Sequence, residues 1–149
     1  MSFGERDAFT SLLTTLIVAV MFYLNISGQF AAGAYDGPEA LQLWARSVLW
    51  LVAYSIGIAI VIAILFAILY AMLTGEKKLS DLRDERDRMI EIRGMRIGMI
   101  LISIGLMAAI VDLALGASAL HALIILLISC SVSEIVKNIF KIACYRRGF

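Results

Sequence analysis

Asp112 and His121 are the first residues to weigh for chemistry, because each is ionisable and lies in or beside a stretch that is otherwise apolar. A charge there is expensive unless it is paired or functional. Asp112 stands sixteen residues from Arg96, and His121 sixteen from Lys137, so at helical rise both reach about 24 Å from the same side. That equality predicts that they face each other. A carboxylate beside an imidazole fixes its tautomer, giving either a proton- or ligand-responsive pair or a hydrogen-bonded staple, with Arg46 placed to neutralise Asp112. We favour the staple.

Ser118 completes a nominal Ser, His, Asp set, yet Ser118 and His121 share one short stretch, with no strained nucleophile elbow and no oxyanion donor in view. One histidine without Cys-x-x-Cys or His-x-x-x-His leaves no closed zinc site, and haem would need an axial Met or a second subunit's histidine. Phosphate-loop, dinucleotide and nucleic-acid motifs are absent from the sequence. The expectation is a chain that is not an enzyme, needs no cofactor or metal, and does not bind nucleic acid directly.

The elements that must position the pair follow from composition. The chain has 149 residues, 62% of them hydrophobic, and a mean hydropathy of +0.93. A soluble globule of that size has too little interior for so much apolar surface. Four apolar runs, residues 9–26, 48–73, 97–115 and 119–136, are about long enough to cross ~30 Å of hydrocarbon as helices. An open strand edge is not viable in lipid, so the fold class is all-α: a single integral membrane domain, a four-helix bundle. Gly116, Ala117 and Ser118 form so short a connection that the third and fourth spans are antiparallel neighbours.

Twelve of the thirteen Lys and Arg residues fall on one side of these spans, with only Arg46 on the other. The positive-inside rule then puts both termini in the cytoplasm, with Trp44 and Trp50 at the outer interface. Residues 9–24 also resemble the apolar core of a signal peptide, and Ala32-Gly33-Ala34 has the small-x-small form of a cleavage site. The preceding Arg6 is set against Glu5 and Asp7, however, and a retained helix is the better reading. Cys130 and Cys144 lie about 21 Å apart along one helix, out of disulfide reach, which predicts free thiols with Cys130 as a small buried hydrophobe. A thiolate role for Cys144, beside Lys141, Arg146 and Arg147, is the lesser reading.

Residues 80–96 are the most distinctive segment. Ser80 suits an N-cap, Asp81 and Asp84 suit the first turn, and Arg83/Asp87 and Asp84/Arg88 are i,i+4 pairs. The spacing predicts that the third span continues unbroken as a charged cytoplasmic helix, with Met89 or Ile92 turned toward the bundle or a second subunit. Asp84, Glu85, Arg86, Asp87 and Arg88 are its candidate docking residues. The tetrad Asp84-Glu85-Arg86-Asp87 is faintly echoed by Gly4-Glu5-Arg6-Asp7 before the first span.

That tetrad, followed by Ile90, Arg93, Arg96, a glycine-rich span and a closing Tyr145-Arg146-Arg147, resembles a family of small prokaryotic membrane proteins of unknown function. The likeness covers roughly residues 80–149, and this chain departs from it at Gly94, where members often carry alanine or serine. The resemblance implies four helices, no established catalytic activity, and in some relatives an association with helix-turn-helix regulators.

Small residues form two ridges. Ala59, Ala63, Ala67 and Ala71 recur every four residues on the second span, where internal packing is expected. Gly94, Gly98, Gly105 and Ala109 line the third, which is left open between internal packing and a homodimer or partner subunit. Lys77, Lys78 and the basic tail set topology and can attract anionic membrane lipids. The expected function is therefore a non-enzymatic module of a prokaryotic inner membrane, regulatory or accessory, acting on a membrane or cytoplasmic partner through its charged arm. The alternative is a small oligomeric transporter, channel or lipophilic-ligand binder using Asp112 and His121.

Overall fold

A computed structural model describes residues 3–74 and 85–147 as four helices: α1 (Phe3–Ala31), α2 (Ala40–Thr74), α3 (Glu85–Ala114) and α4 (Ala119–Arg147). Each contains a stretch long and apolar enough to cross a membrane. The helices run 29, 35, 30 and 29 residues, so at ~1.5 Å per residue they outreach the hydrocarbon layer and carry their charged ends beyond it. The fold is all-α, with four helices packed as expected of a multi-pass membrane protein.

Both hairpin turns end their first helix in the same way. Gly33 and Gly116 have φ of 70° and 90°, a conformation that disfavours a Cβ. Around them Ala34 N–H donates to Gln29 O at 3.1 Å and Gly33 N–H to Phe30 O at 3.0 Å; Ala117 N–H donates to Asp112 O at 3.1 Å and Gly116 N–H to Leu113 O at 3.0 Å. Each is a Schellman closure that satisfies the last carbonyls of its helix. The end carrying these turns is called the turn end below, and the opposite one the termini end.

α4 is the central element, packing most extensively on α3, then on α1, with α1 on α2 and a minor contact between α2 and α4. α2 and α3 occupy opposite flanks. The α3·α4 seam is built on small residues: Gly94, Gly98, Gly105 and Ala109 are buried on α3, and Ala122, Ser133, Asn138 and Cys144 on α4. Gly105 stands directly against Ser129, and the Ser133 hydroxyl donates to Gly98 O at 2.8 Å. The glycine ridge, open between two readings in the sequence, is thus spent inside the chain.

The ridge on α2 differs from expectation. Ala59 and Ala67 are only half-buried, while Ala63 and Ala71 are exposed, so this ridge is not the packing face. Leu51, Ser55, Ile58, Ile62 and Phe66, spaced three or four apart, turn inward instead, and their bulk keeps α2 at a distance that alanines are not needed to reach. Cys130 is likewise exposed, and Cys144 is the buried thiol, because α4 turns the face bearing Ala122, Ser133 and Cys144 toward its neighbours.

The charged arm also differs in form. Asp84, with the rest of 80–84, lies outside the described residues, as do the pairs Arg83/Asp87 and Asp84/Arg88 that need them. From Glu85 onward the helix does not project alone, since α4 continues to Arg147 and Ile90 and Gly94 are buried. Met89 and Ile92, expected to face the bundle or a second subunit, are 54% and 40% exposed. The inward positions are instead Asp87, Ile90, Gly94 and Gly98, spaced about one turn from one another.

Candidate functional site

Four polar assemblies stand in or at the ends of the apolar helices. At the turn end, Asp112 and His121 do meet: His121 Nδ1 lies 2.8 Å from Asp112 Oδ2, with 60% of the imidazole and 23% of the carboxylate side chain exposed. Ser118 is not part of a nucleophilic set. Its hydroxyl accepts the His121 backbone N–H at 3.3 Å, which makes it the N-cap of α4. Arg46 does not join, for α2 and α3 are not packed together. The pair bolts the last turn of α3 to the first turn of α4.

Along α4, Lys137 Nζ binds Glu134 Oε2 at 2.6 Å, and Asn138 Nδ2 donates to Glu134 O at 2.9 Å and to Glu134 Oε1 at 3.2 Å. Asn138 is 1% exposed. With these bonds made, the group is a satisfied structural knot.

At the termini end, all four helices meet through charge and aromatic rings. Tyr145, nine residues beyond the apolar stretch that ends at Val136, bonds the Asp87 side chain. Burial, then the Asp87 carboxylate, with smaller contributions from Glu91 and Asp7, pushes its phenol up to about 12. Arg146 Nε stands 3.7 Å from Glu5 Oε1, and its guanidinium lies 5.8 Å from the centre of the Phe9 ring. The Arg6 guanidinium lies 5.2 Å from the Tyr70 ring centre, which ties α1 to α2. Gly4 abuts the Tyr145 hydroxyl so closely that no side chain fits there.

Comparison with known protein families, curated proteins and solved structures returns no match.

The site must therefore be read from its own geometry, and the two tetrads are informative in that light. Asp87, closing one, and Asp7, closing the other, act on the same tyrosine, and Tyr145 belongs to the terminal Tyr145-Arg146-Arg147. Three charged segments distant in sequence thus form one junction. Glu85, Arg86 and Arg88, candidate docking residues, are exposed beside it, as are Arg93 and Arg96, with Met89, Ile92 and Met95 among them.

The fourth assembly had no sequence signal. In the turn-end half of α1·α2, Tyr35 Oη donates to Gln29 Oε1 at 2.6 Å, Gln29 Nε2 donates to Asn25 Oδ1 at 2.7 Å, and Ser47 Oγ donates to Gln29 Oε1 at 3.4 Å. These residues come from α1, the turn and α2. Only the i,i+4 spacing of Asn25 and Gln29 was visible beforehand.

Proposed function

We propose that the chain is a multi-pass protein of a prokaryotic inner membrane with both termini in the cytoplasm. It acts without catalysis, as a regulatory or accessory module whose charged cytoplasmic end docks a protein partner. The orientation rests on the placement of Lys and Arg, with Arg46 alone at the turn end.

The observation that carries the docking reading is the outward face of α3. Beyond the apolar stretch that starts at residue 97, Met89 and Met95 are 54% and 47% exposed and Ile92 is 40% exposed, among exposed Arg86, Arg88, Arg93 and Arg96. A helix that needed only to be solvated would carry no such apolar strip, whereas methionine and arginine together are enriched at protein interfaces. The junction of Tyr145 with Asp87 holds the opposite face of the helix against the bundle.

The alternative, a transporter, channel or lipophilic-ligand binder built on Asp112 and His121, has less support. Their exposure at the hairpin tip suits a staple. Cross-linking in native membranes tests the choice. Met89→Glu with Ile92→Glu should abolish a cross-linked adduct that Asp112→Asn leaves intact, and an adduct that survives the double variant would remove the docking reading.

A further inference from the structure

A cavity of about 240 Å³ lies between α1 and α2 in their turn-end half. Its upper wall is polar, formed by Asn25, Gln29, Ser47 and Tyr54, and its floor, at Val18 and Ile58, is apolar. Val18 and Gln29 are eleven residues apart on one helix, so the cavity spans about 16 Å along the bundle, from the interface toward mid-membrane.

The hydrogen-bond relay determines what this wall offers. Tyr35 donates to Gln29 Oε1 and Gln29 donates in turn to Asn25 Oδ1, while the single Ser47 proton is shared between Leu43 O at 3.1 Å and Gln29 Oε1 at 3.4 Å. Both amide oxygens thereby accept a bond, and the amide hydrogens of Asn25 are left at the end of the chain. Among the described residues neither the Asn25 amide nitrogen nor the Tyr54 hydroxyl has a hydrogen-bond partner. Trp50 and Tyr54 stack with ring centres 5.8 Å apart and an interplanar angle of 28°, presenting flat aromatic surface beside those donors. Among the described residues no charged side chain lines the cavity.

We propose that this cavity binds an uncharged amphiphile whose head bears carbonyl acceptors, with its tail lying along Val18 and Ile58. Neutral donors without a cation fit a carbonyl better than a phosphate, which would call for Lys or Arg. Two membrane components share this chemistry, a lipophilic quinone and the ester region of a glycerolipid. The larger groove of about 520 Å³ between α1 and α4 lacks it: its serines, Ser27 and Ser131, already donate to Leu24 O and Leu127 O at 3.1 Å each. That groove is lined mainly by apolar side chains, with the Tyr23 hydroxyl a polar group not bonded to the backbone among the described residues, and is a built-in control.

The two tryptophans of the chain report on the two spaces separately: Trp50 lines the polar cavity and Trp44 the apolar groove. The experiment titrates a decyl-tailed benzoquinone into full-length protein in phosphatidylcholine nanodiscs and follows tryptophan fluorescence. In Trp44→Phe protein, Trp50 should be quenched saturably; in Trp50→Phe protein, Trp44 should be quenched only in proportion to the quinone in the bilayer. On the Trp44→Phe background, Asn25→Leu and, independently, the floor-filling Val18→Phe should each raise the half-saturating concentration about tenfold, the loss of one good hydrogen bond or of the tail's seat. Competition by dioleoylglycerol at equal mole fraction would name the ester lipid as the natural occupant, and its failure to compete would name the quinone. Linear quenching of Trp50, or saturation unmoved by Val18→Phe in protein whose helical content is unchanged, would overturn the proposal.

Discussion

The α3·α4 and α1·α2 pairs are both antiparallel hairpins closed by a left-handed glycine, yet they are packed on opposite principles. α3·α4 is joined through glycines and small polar side chains, with backbones close enough for Ser133 to bond Gly98 O at 2.8 Å. α1 and α2 face each other with large side chains, Phe22, Trp50 and Leu51 among them, and leave a cavity of about 240 Å³. In lipid the apolar effect does not draw helices together, so close contact requires small residues, and a pair without them retains space. One hairpin is a frame, and the other has room for a guest.

A glycine series breaks or sharpens that contrast, and it gives the largest effects. A Cβ at Gly105 would overlap the Ser129 side chain, whose backbone follows at 3.6 Å and cannot swing away. Gly105→Ala should cost about 2 kcal/mol by overpacking. At Gly98 the new carbon meets Ser133 Oγ at 3.1 Å, and a loss of about 1 kcal/mol follows from straining that interhelical bond. At Gly94 it meets Lys141 Cγ at 3.2 Å, on a long side chain that can yield, so alanine should be close to neutral. Gly57 on α2 has nothing within 4 Å; Gly57→Ala should stabilise by about 0.5–1 kcal/mol through helix propensity. Thermal unfolding in detergent, read by circular dichroism, checks the order 105, 98, 94, 57. Equal effects at Gly105 and Gly57 would erase the distinction between the hairpins.

The Asp112/His121 contact tests whether the frame needs its staple. The imidazole is 60% exposed, and exposed ion pairs contribute at most about 1 kcal/mol. Asp112→Ala should therefore lower stability by less than about 1 kcal/mol, less than Gly105→Ala, and the deficit should shrink in high salt. A loss above about 2 kcal/mol would mean that the pair anchors more than the hairpin tip.

What the sequence made legible follows the same division. The glycine ridge, the short turn and the equal depth of Asp112 and His121 are periodic or local features, and helix rise alone brought the last two residues together. The Gln29 relay needed three elements whose relative rotation no periodicity encodes. The alanines of α2 have perfect spacing, but spacing cannot tell a packing ridge from a lipid-facing one when both faces are apolar, and Ala63 proved exposed. Cys130 misled for the same reason: in a helix apolar all round, a small hydrophobe carries no direction. Residues 85–96 of the arm were legible as a helix, but their packing against α4 was not, because the charges at Lys137, Lys141 and Arg146 suggested that α4 ended sooner.

The most specific effect concerns the contact that closes the frame at the termini end. Tyr145 should ionise near pH 12 rather than near 10, because burial and the Asp87 carboxylate both disfavour the phenolate. The folded state holds this proton more tightly than the unfolded chain does. Its contribution to stability is therefore fully present below pH 10 and is lost as pH rises through 12. Subtracting the ultraviolet titration of Tyr145→Phe from that of the unmodified protein isolates the one phenol. Asp87→Asn removes the charge while keeping an acceptor, so the midpoint should fall part of the way back, burial still holding it above the ordinary value. Asp112→Asn, at the other end of α3, should leave it in place. A midpoint near 10 in the unmodified protein would mean that Asp87 and Tyr145 are not in contact, and α3 would then have lost its tie at the termini end while keeping its glycine seam.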